Sequence, residues 1–214
     1  MIHTITPLPN IGILNAKFSN AELKPVIDEI NDIRMKNFSG TKMNSSLAGN
    51  IEHEFELFEC VSHVNHLLMP LLKTYDKQFR IIDEVAGGVF HKPTPVCLDR
   101  LWVNFQKKHD FNPTHRHGGV ISFVIWIDVP YDIDIEKQHP TSKDSSANFP
   151  GHFQFVYTNV LGEISTYNIP ADLKFKNQMV MFPAKLSHCV YPFRTSDEYR
   201  ISVSGNFGFD LNTI

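Results

Sequence analysis

Residues 101–126 read LWVNFQKKHDFNPTHRHGGVISFVIW, and the rest of the chain is organised around the two histidines in their middle. On an extended backbone, residues two apart project to one face, so His115 and His117 can present two imidazoles to a single point. An HxH pair is close to what chance supplies in a chain with 11 His, so its weight comes from context. That context is residues 181–206, MFPAKLSHCVYPFRTSDEYRISVSGN, which hold His188 and Arg200.

The pair is flanked by two β-type runs, VCLDRLWVNFQ at 96–106 and VISFVIWIDV at 120–129. The second is apolar at successive positions, the pattern of a central strand covered on both sides. VAGGVFH at 85–91, HFQFVYTN at 152–159, EISTYNI at 163–169, QMVMF at 178–182 and YRISVSGNF at 199–207 read as further strands. Short strands at irregular spacing, with no helical pattern between them, predict a mainly β antiparallel sandwich or barrel.

Upstream the pattern is helical. Residues 1–18 read as an opening strand or arm, and Ser19 and Glu22 form an S-x-x-E capping box. Leu23, Val26, Ile27, Ile30 and Ile33 then recur at helical spacing, with Pro25 marking the start of the regular part. FSGTKMNSSLAGN at 38–50 is loop by composition. Leu57, Val61, Val64, Leu68 and Leu71 predict a second helix. Glu52, Glu54, Glu56 and Glu59 load its start, and Pro70 should kink or end it. His63 and His66 on that helix read as surface residues. The long unpatterned stretch 130–151 reads as a functional lid or a disordered excursion, and is the candidate substrate lid. The whole reads as one domain, residues 1–80 forming a helical part packed on a β core at 81–210.

A formal net charge of -3 leaves no basic surplus for gripping nucleic acid. The three cysteines are an odd count without a CxxC, which suits a reducing compartment. No apolar run approaches the roughly 18 residues of a membrane span. These features predict a soluble cytoplasmic protein.

A mononuclear metal site needs three protein ligands on one face with open positions beside them, and His115, His117 and His188 can supply the three. Arg200 follows His188 by twelve residues. It alternates with Ile201 and Val203, which puts its guanidinium on the same strand face as the Ser202 and Ser204 hydroxyls. An inward arginine is costly unless an anion pairs with it. A small bound acid would do so bidentately, with Ser202 adding a hydroxyl; Asp197 or Glu198 in a structural ion pair is the alternative.

Three segments, HRHGGVISF at 115–123, FPAKLSH at 182–188 and RISVSGN at 200–206, agree in order and spacing with a known pattern. The chain resembles the 2-oxoglutarate/Fe(II)-dependent oxygenases, most nearly the group found in marine bacteria and their viruses. The resemblance covers residues 96–210 well and the N-terminal part loosely. It implies a double-stranded β-helix (a jelly roll, cupin-like) with flanking N-terminal helices, and a site holding Fe(II) and 2-oxoglutarate. The metal ligands fall on His115, His117 and His188. The arginine that binds the C5 carboxylate falls on Arg200, and a co-substrate-touching asparagine on Asn104.

Where most relatives carry Asp or Glu, position 117 is His. That leaves the metal more cationic, and three imidazoles also suit zinc; Asp128 or Glu136 is the alternative third ligand. The implied reaction consumes O₂, releases succinate and CO₂, and hydroxylates an unidentified small-molecule or peptidyl substrate. It would run behind walls that include Phe123, Phe155 and Phe182, in the host cytoplasm if the protein is viral. The rival readings are a three-histidine cupin-type enzyme indifferent to 2-oxoglutarate and a non-catalytic, virion-associated jelly-roll binding protein.

Overall fold

The computed structural model describes residues 10–87 and 94–211. In chain order the elements are β1 (Leu14–Lys17), α1 (Lys24–Met35), β2 (His53–Glu56), α2 (Val61–Phe79), α3 (Ile81–Gly87), β3 (Val96–Gln106), β4 (Asn112–His115), β5 (Ile121–Asp128), α4 (Ile133–Lys137), β6 (Phe153–Thr158), β7 (Ile164–Ile169), β8 (Gln178–Pro183), β9 (Ser187–Val190) and β10 (Arg200–Phe209). The strands form two sheets, β1-β8-β5-β10-β3-β2 and β4-β9-β6-β7. The resulting fold is the jelly roll.

Residue alternation on the large sheet explains how its two faces are covered. On β5, Phe123, Ile125 and Ile127 join a core with Val26, Ile30, Val64 and Leu68 of the helices, while Val124 and Trp126 join Phe153, Phe155 and Phe182 between the sheets. Each such side chain removed from water stabilises the fold by roughly 1.5–3 kcal/mol. An apolar residue at every position of β5 is therefore what a strand with two covered faces requires. β10 instead gives only one apolar face. Ile201, Val203 and Phe207 pack toward the helices, and Arg200, Ser202, Ser204 and Asn206 line a cavity between the sheets.

The reciprocal bonds of the capping box form, but on the turn that precedes α1, whose own N-cap, Leu23, makes no side-chain cap hydrogen bond. The backbone N–H and hydroxyl of Ser19 both donate to Glu22 Oε2 at 2.7 Å, and Glu22 N–H donates to Ser19 Oγ. Regular α1 begins next to Pro25. Other expectations need correction. The glutamates at 52–56 do not begin a helix: His53–Glu56 pair with β3 as a strand, because Phe55 on one face fills the core while Glu54 on the other faces the cavity. Pro70 lies inside α2, which runs on to Phe79; burial of Leu72 and Tyr75 outweighs the lost hydrogen bond. Val85–Gly87 are helical, not strand, and the remainder of the expected strand at 85–91 lies outside the described residues. Two short strands, β4 and β9, carry His115 and His188 and were not expected as strands.

The 130–151 stretch is packed in rather than hinged over the site. It holds α4, capped by the Asp132 carboxylate on Asp134 N–H, and its buried Glu136 carboxylate accepts from Arg194 N–H and from both the N–H and hydroxyl of Thr195. None of its residues lines the cavity; from the earlier loop, Met43 and Ser46 to Gly49 do.

Candidate metal centre

His115 and His188 are directly opposed across β4 and β9, and His117 follows two residues past His115. Their ring centroids are 4.3 Å (115–188), 5.1 Å (115–117) and 4.8 Å (117–188) apart. One coordinating nitrogen from each lies within 4.8 Å of the others. The chain turns after His117 at Gly119, whose φ of +80° and approach to the Phe207 carbonyl exclude a side chain. His117 N–H donates to the Ala184 carbonyl at 2.9 Å, which pins the loop to the sheet.

Each imidazole is oriented by a hydrogen bond on its Nδ1. His115 Nδ1 lies 2.7 Å from the Pro113 carbonyl, His188 Nδ1 2.9 Å from the Leu186 carbonyl, and His117 Nδ1 2.8 Å from Asn206 Oδ1. Ser122 Oγ donates to the same Asn206 Oδ1 at 2.7 Å. Three acceptors on three Nδ1 atoms select the tautomer that keeps the proton there and leaves Nε2 as a lone pair. His115 Nε2 and His117 Nε2 then face each other at 3.1 Å, a repulsive arrangement that a cation between them relieves. Burial holds all three rings neutral: His115 is lowered, His117 pushed down to about 4 and His188 to about 3. Neutral, oriented, converging imidazoles fit a divalent metal.

The walls are aromatic. Phe153 stacks on His188 with centroids 5.2 Å apart, and Phe182 lies edge-on to it at 5.0 Å. Of the expected walls, Phe182 holds its place and Phe123 borders the cavity from the helix-side core. Phe155 stands behind Phe182, 6.2 Å from His188. Trp102, 5.6 Å from His117, was missed. The alternative ligands are engaged elsewhere: Glu136 with Arg194 and Thr195, and exposed Asp128 with Lys176 at 3.7 Å.

Arg200 is 2% exposed, and neither Asp197 nor Glu198 pairs with it; Asp197 binds Lys108 instead. Its Nη1 donates to Tyr131 Oη at 2.7 Å and to the Gly151 carbonyl at 2.9 Å, and its Nη2 donates to Gln106 Oε1. All three acceptors are neutral. By donor count, Nε–H and one Nη2–H are left without a partner among the described residues, the two a carboxylate would take. Asn104 and Ser202 are register partners, with Asn104 Nδ2 donating to Ser202 Oγ at 3.3 Å. Asn206, Ser122, Gln106 and Tyr131 were not recognised from sequence. Asn206 closes the RISVSGN segment, whereas Gln106 and Tyr131 become neighbours of Arg200 only through the fold.

Together these residues border a cavity of about 450 Å³ that takes in all three histidines and Arg200. A jelly roll with three imidazoles and a buried arginine around one cavity defines a class of metal-dependent enzyme. Over residues 100–206 the chain matches the family described as "Putative 2OG-Fe(II) oxygenase", and it belongs to that family. It is thus an oxygenase dependent on Fe(II) and 2-oxoglutarate. Solved structures share the fold at low identity. A Pseudomonas putida prolyl-4-hydroxylase superposes with TM-score 0.56 at 10% identity, over 92% of each chain. The viral collagen prolyl hydroxylase vCPH from Paramecium Bursaria Chlorella virus-1 gives 0.51 at 10% identity, over 91% of this chain and 94% of that one. The alpha ketoglutarate dependent epimerase SnoN gives 0.50 at 15% identity, over 92% and 77%. No curated protein matches the sequence. No described helix is long and apolar enough to cross a membrane.

Proposed function

We propose that His115, His117 and His188 hold the Fe(II), that Arg200 and Ser202 hold the far carboxylate of 2-oxoglutarate with Asn104 beside them, and that the enzyme hydroxylates a carbon of its substrate. When bound, metal and co-substrate supply the oxidising chemistry, in which O₂ is consumed, succinate and CO₂ leave and one oxygen atom enters the substrate. The observation that carries the reading is the pairing of three lone pairs, fixed by their Nδ1 hydrogen bonds, with a buried guanidinium that lacks an acid.

The chain's own residues divide the work. Pro113, Leu186 and Asn206 hold the rings so that the ligand geometry exists before metal enters. Three neutral ligands leave the full metal charge uncompensated, which favours an anionic co-substrate. Arg200, braced by Tyr131, Gly151 and Gln106, keeps its remaining donors aimed at one place and fixes the co-substrate's register. Phe153, Phe182 and Trp126 exclude water on the small-sheet side, which strengthens the ionic contacts.

The test is anaerobic addition of Fe(II) and 2-oxoglutarate, which should produce a weak visible charge-transfer band; well-folded, metal-loaded protein without the band sinks the reading. Arg200→Ala should raise the 2-oxoglutarate requirement at least tenfold, since a charged hydrogen bond contributes about 1.5–3 kcal/mol, with Fe(II) affinity little changed. Equal loss of both would make Arg200 a folding residue instead.

A further inference from the structure

The cavity has an acidic wall that the assigned reaction does not use. Glu54 stands on the edge strand β2 and is 1% exposed, yet it borders the same space as the histidines. Its Oε1 has no hydrogen-bond partner, and its Oε2 has only Asn44 Nδ2, at a long 3.4 Å. No Lys, Arg or His pairs with it among the described residues. A buried carboxyl in that condition costs free energy unless a donor, or better a cation, arrives.

Two further acceptors share its position. Asn104 is its register partner across β2 and β3, so the two side chains leave the sheet on one face, and Asn104 Oδ1 is buried without a partner. Asn112 Oδ1, also unpartnered, approaches from β4. The space between Glu54 and Asn112 is kept open by Gly49: a Cβ there would collide with Asn112 Oδ1 and stand 2.6 Å from Glu54 Oε1. Three donor-starved oxygens thus border one cavity, two of them around a residue with no side chain.

We propose that Glu54, Asn104 and Asn112 form the substrate-recognition site for a protonated nitrogen group, an ammonium or guanidinium carried by the substrate; the inference rests on the oxygenase reading of the same cavity. A neutral N–H donor would satisfy one oxygen and leave the carboxylate charge uncompensated, whereas an ammonium brings three donors and the opposite charge. Burial and the neighbouring Asp110 push the Glu54 carboxyl up to about 7, and a bound cation reverses that. The cavity then carries opposite preferences: Arg200 selects an acid and Glu54 a base, which keeps co-substrate and substrate from exchanging places.

The probes are n-butylammonium and n-butylguanidinium against neutral butyramide, added at constant ionic strength and pH 8 to the anaerobic protein carrying Fe(II) and 2-oxoglutarate. Binding is read by calorimetry. At least one cation should bind tenfold or more tightly than butyramide, and Glu54→Gln should erase the preference. Should that variant misfold, Gly49→Ala fills the same space and should also erase it. Equal binding of charged and neutral probes to the unaltered protein overturns the proposal, as does a cation preference that survives in a folded Glu54→Gln protein. The wild-type charge-transfer band reports on the oxygenase reading separately, so a missing band with the cation preference intact removes that reading and leaves the cation site standing.

Discussion

Glu54 shows how far a single residue's meaning depends on its element. In sequence it is one of four glutamates between 52 and 59, and their spacing suited the start of a helix as well as anything else. Pairing of His53–Glu56 with β3 turns that run into alternating core and cavity positions, with Phe55 on one face and Glu54 on the other. The consequence is measurable without any ligand. Because its folded pKa is raised from 4.5 to about 7, the native state keeps a proton that the unfolded chain releases, so stability falls as pH rises through that window. Glu54→Gln should match the wild type near pH 4 and exceed it by roughly 2 kcal/mol at pH 8, after discounting for solvent screening. Urea unfolding of metal-free protein at both pH values checks this; an equal effect at both would mean the carboxyl is not buried in solution. Tyr131 is a second case, invisible beforehand because its partners lie 20 and 69 residues away. Tyr131→Phe leaves Arg200 in place but removes one brace, and should raise the KM for 2-oxoglutarate about fivefold to tenfold, from a hydrogen bond worth roughly 1 kcal/mol or slightly more.

Among the elements, long strands with strong apolar content were readable; of the short strands, β1 falls in the expected opening strand or arm, and β2, β4 and β9 were not read. β3, β5, β6, β7, β8 and β10 follow from runs that alternate or stay apolar, because side-chain period and burial agree there. β4 and β9 have four residues each, spend them on Asn, Pro, Thr, His, Ser and Cys with a single Val, and are held by pairing that opposes His115 and His188 across a ladder. Local propensity gives way there to what the neighbouring strand imposes. α2 fails the local rule in the other direction, since it tolerates an exposed proline midway. Pro70→Ala restores the missing donor and removes the ring clash, and should stabilise the protein by about 1–3 kcal/mol. In a domain of this size that is a rise in Tm of roughly 2–10 °C, by thermal melt. An unchanged or lowered Tm would mean α2 has adapted its curvature to the proline.

For the molecule as a whole, the histidine trio and the arginine were legible because their spacing on two extended segments is a backbone property. What surrounds them was not, since the Asn206 acceptor, the Gln106 brace and the Gly49 opening depend on which strands become neighbours. A site assembled from several strands also links metal to the stability of the entire fold. Fe(II) at a hundredfold excess over its Kd should stabilise the native state by about 2.7 kcal/mol, or roughly 5–10 °C in Tm, and a chelator should reverse it. His188→Ala should abolish the shift while leaving the metal-free Tm within a few degrees.

Residues 130–151 bring Tyr131 and the Gly151 carbonyl to Arg200 and bury Glu136 against residues 194–195. A connection with those duties cannot change length without dragging the anion anchor with it, so insertions there should be poorly tolerated. The cavity border at residues 46–48 carries no such obligation, whereas Asn44 and Gly49 on either side of it are tied to Glu54 and Asn112. If this scaffold is ever retrained for a different molecule, by nature or in the laboratory, Ser46, Leu47 and Ala48 are where the sequence is free to drift.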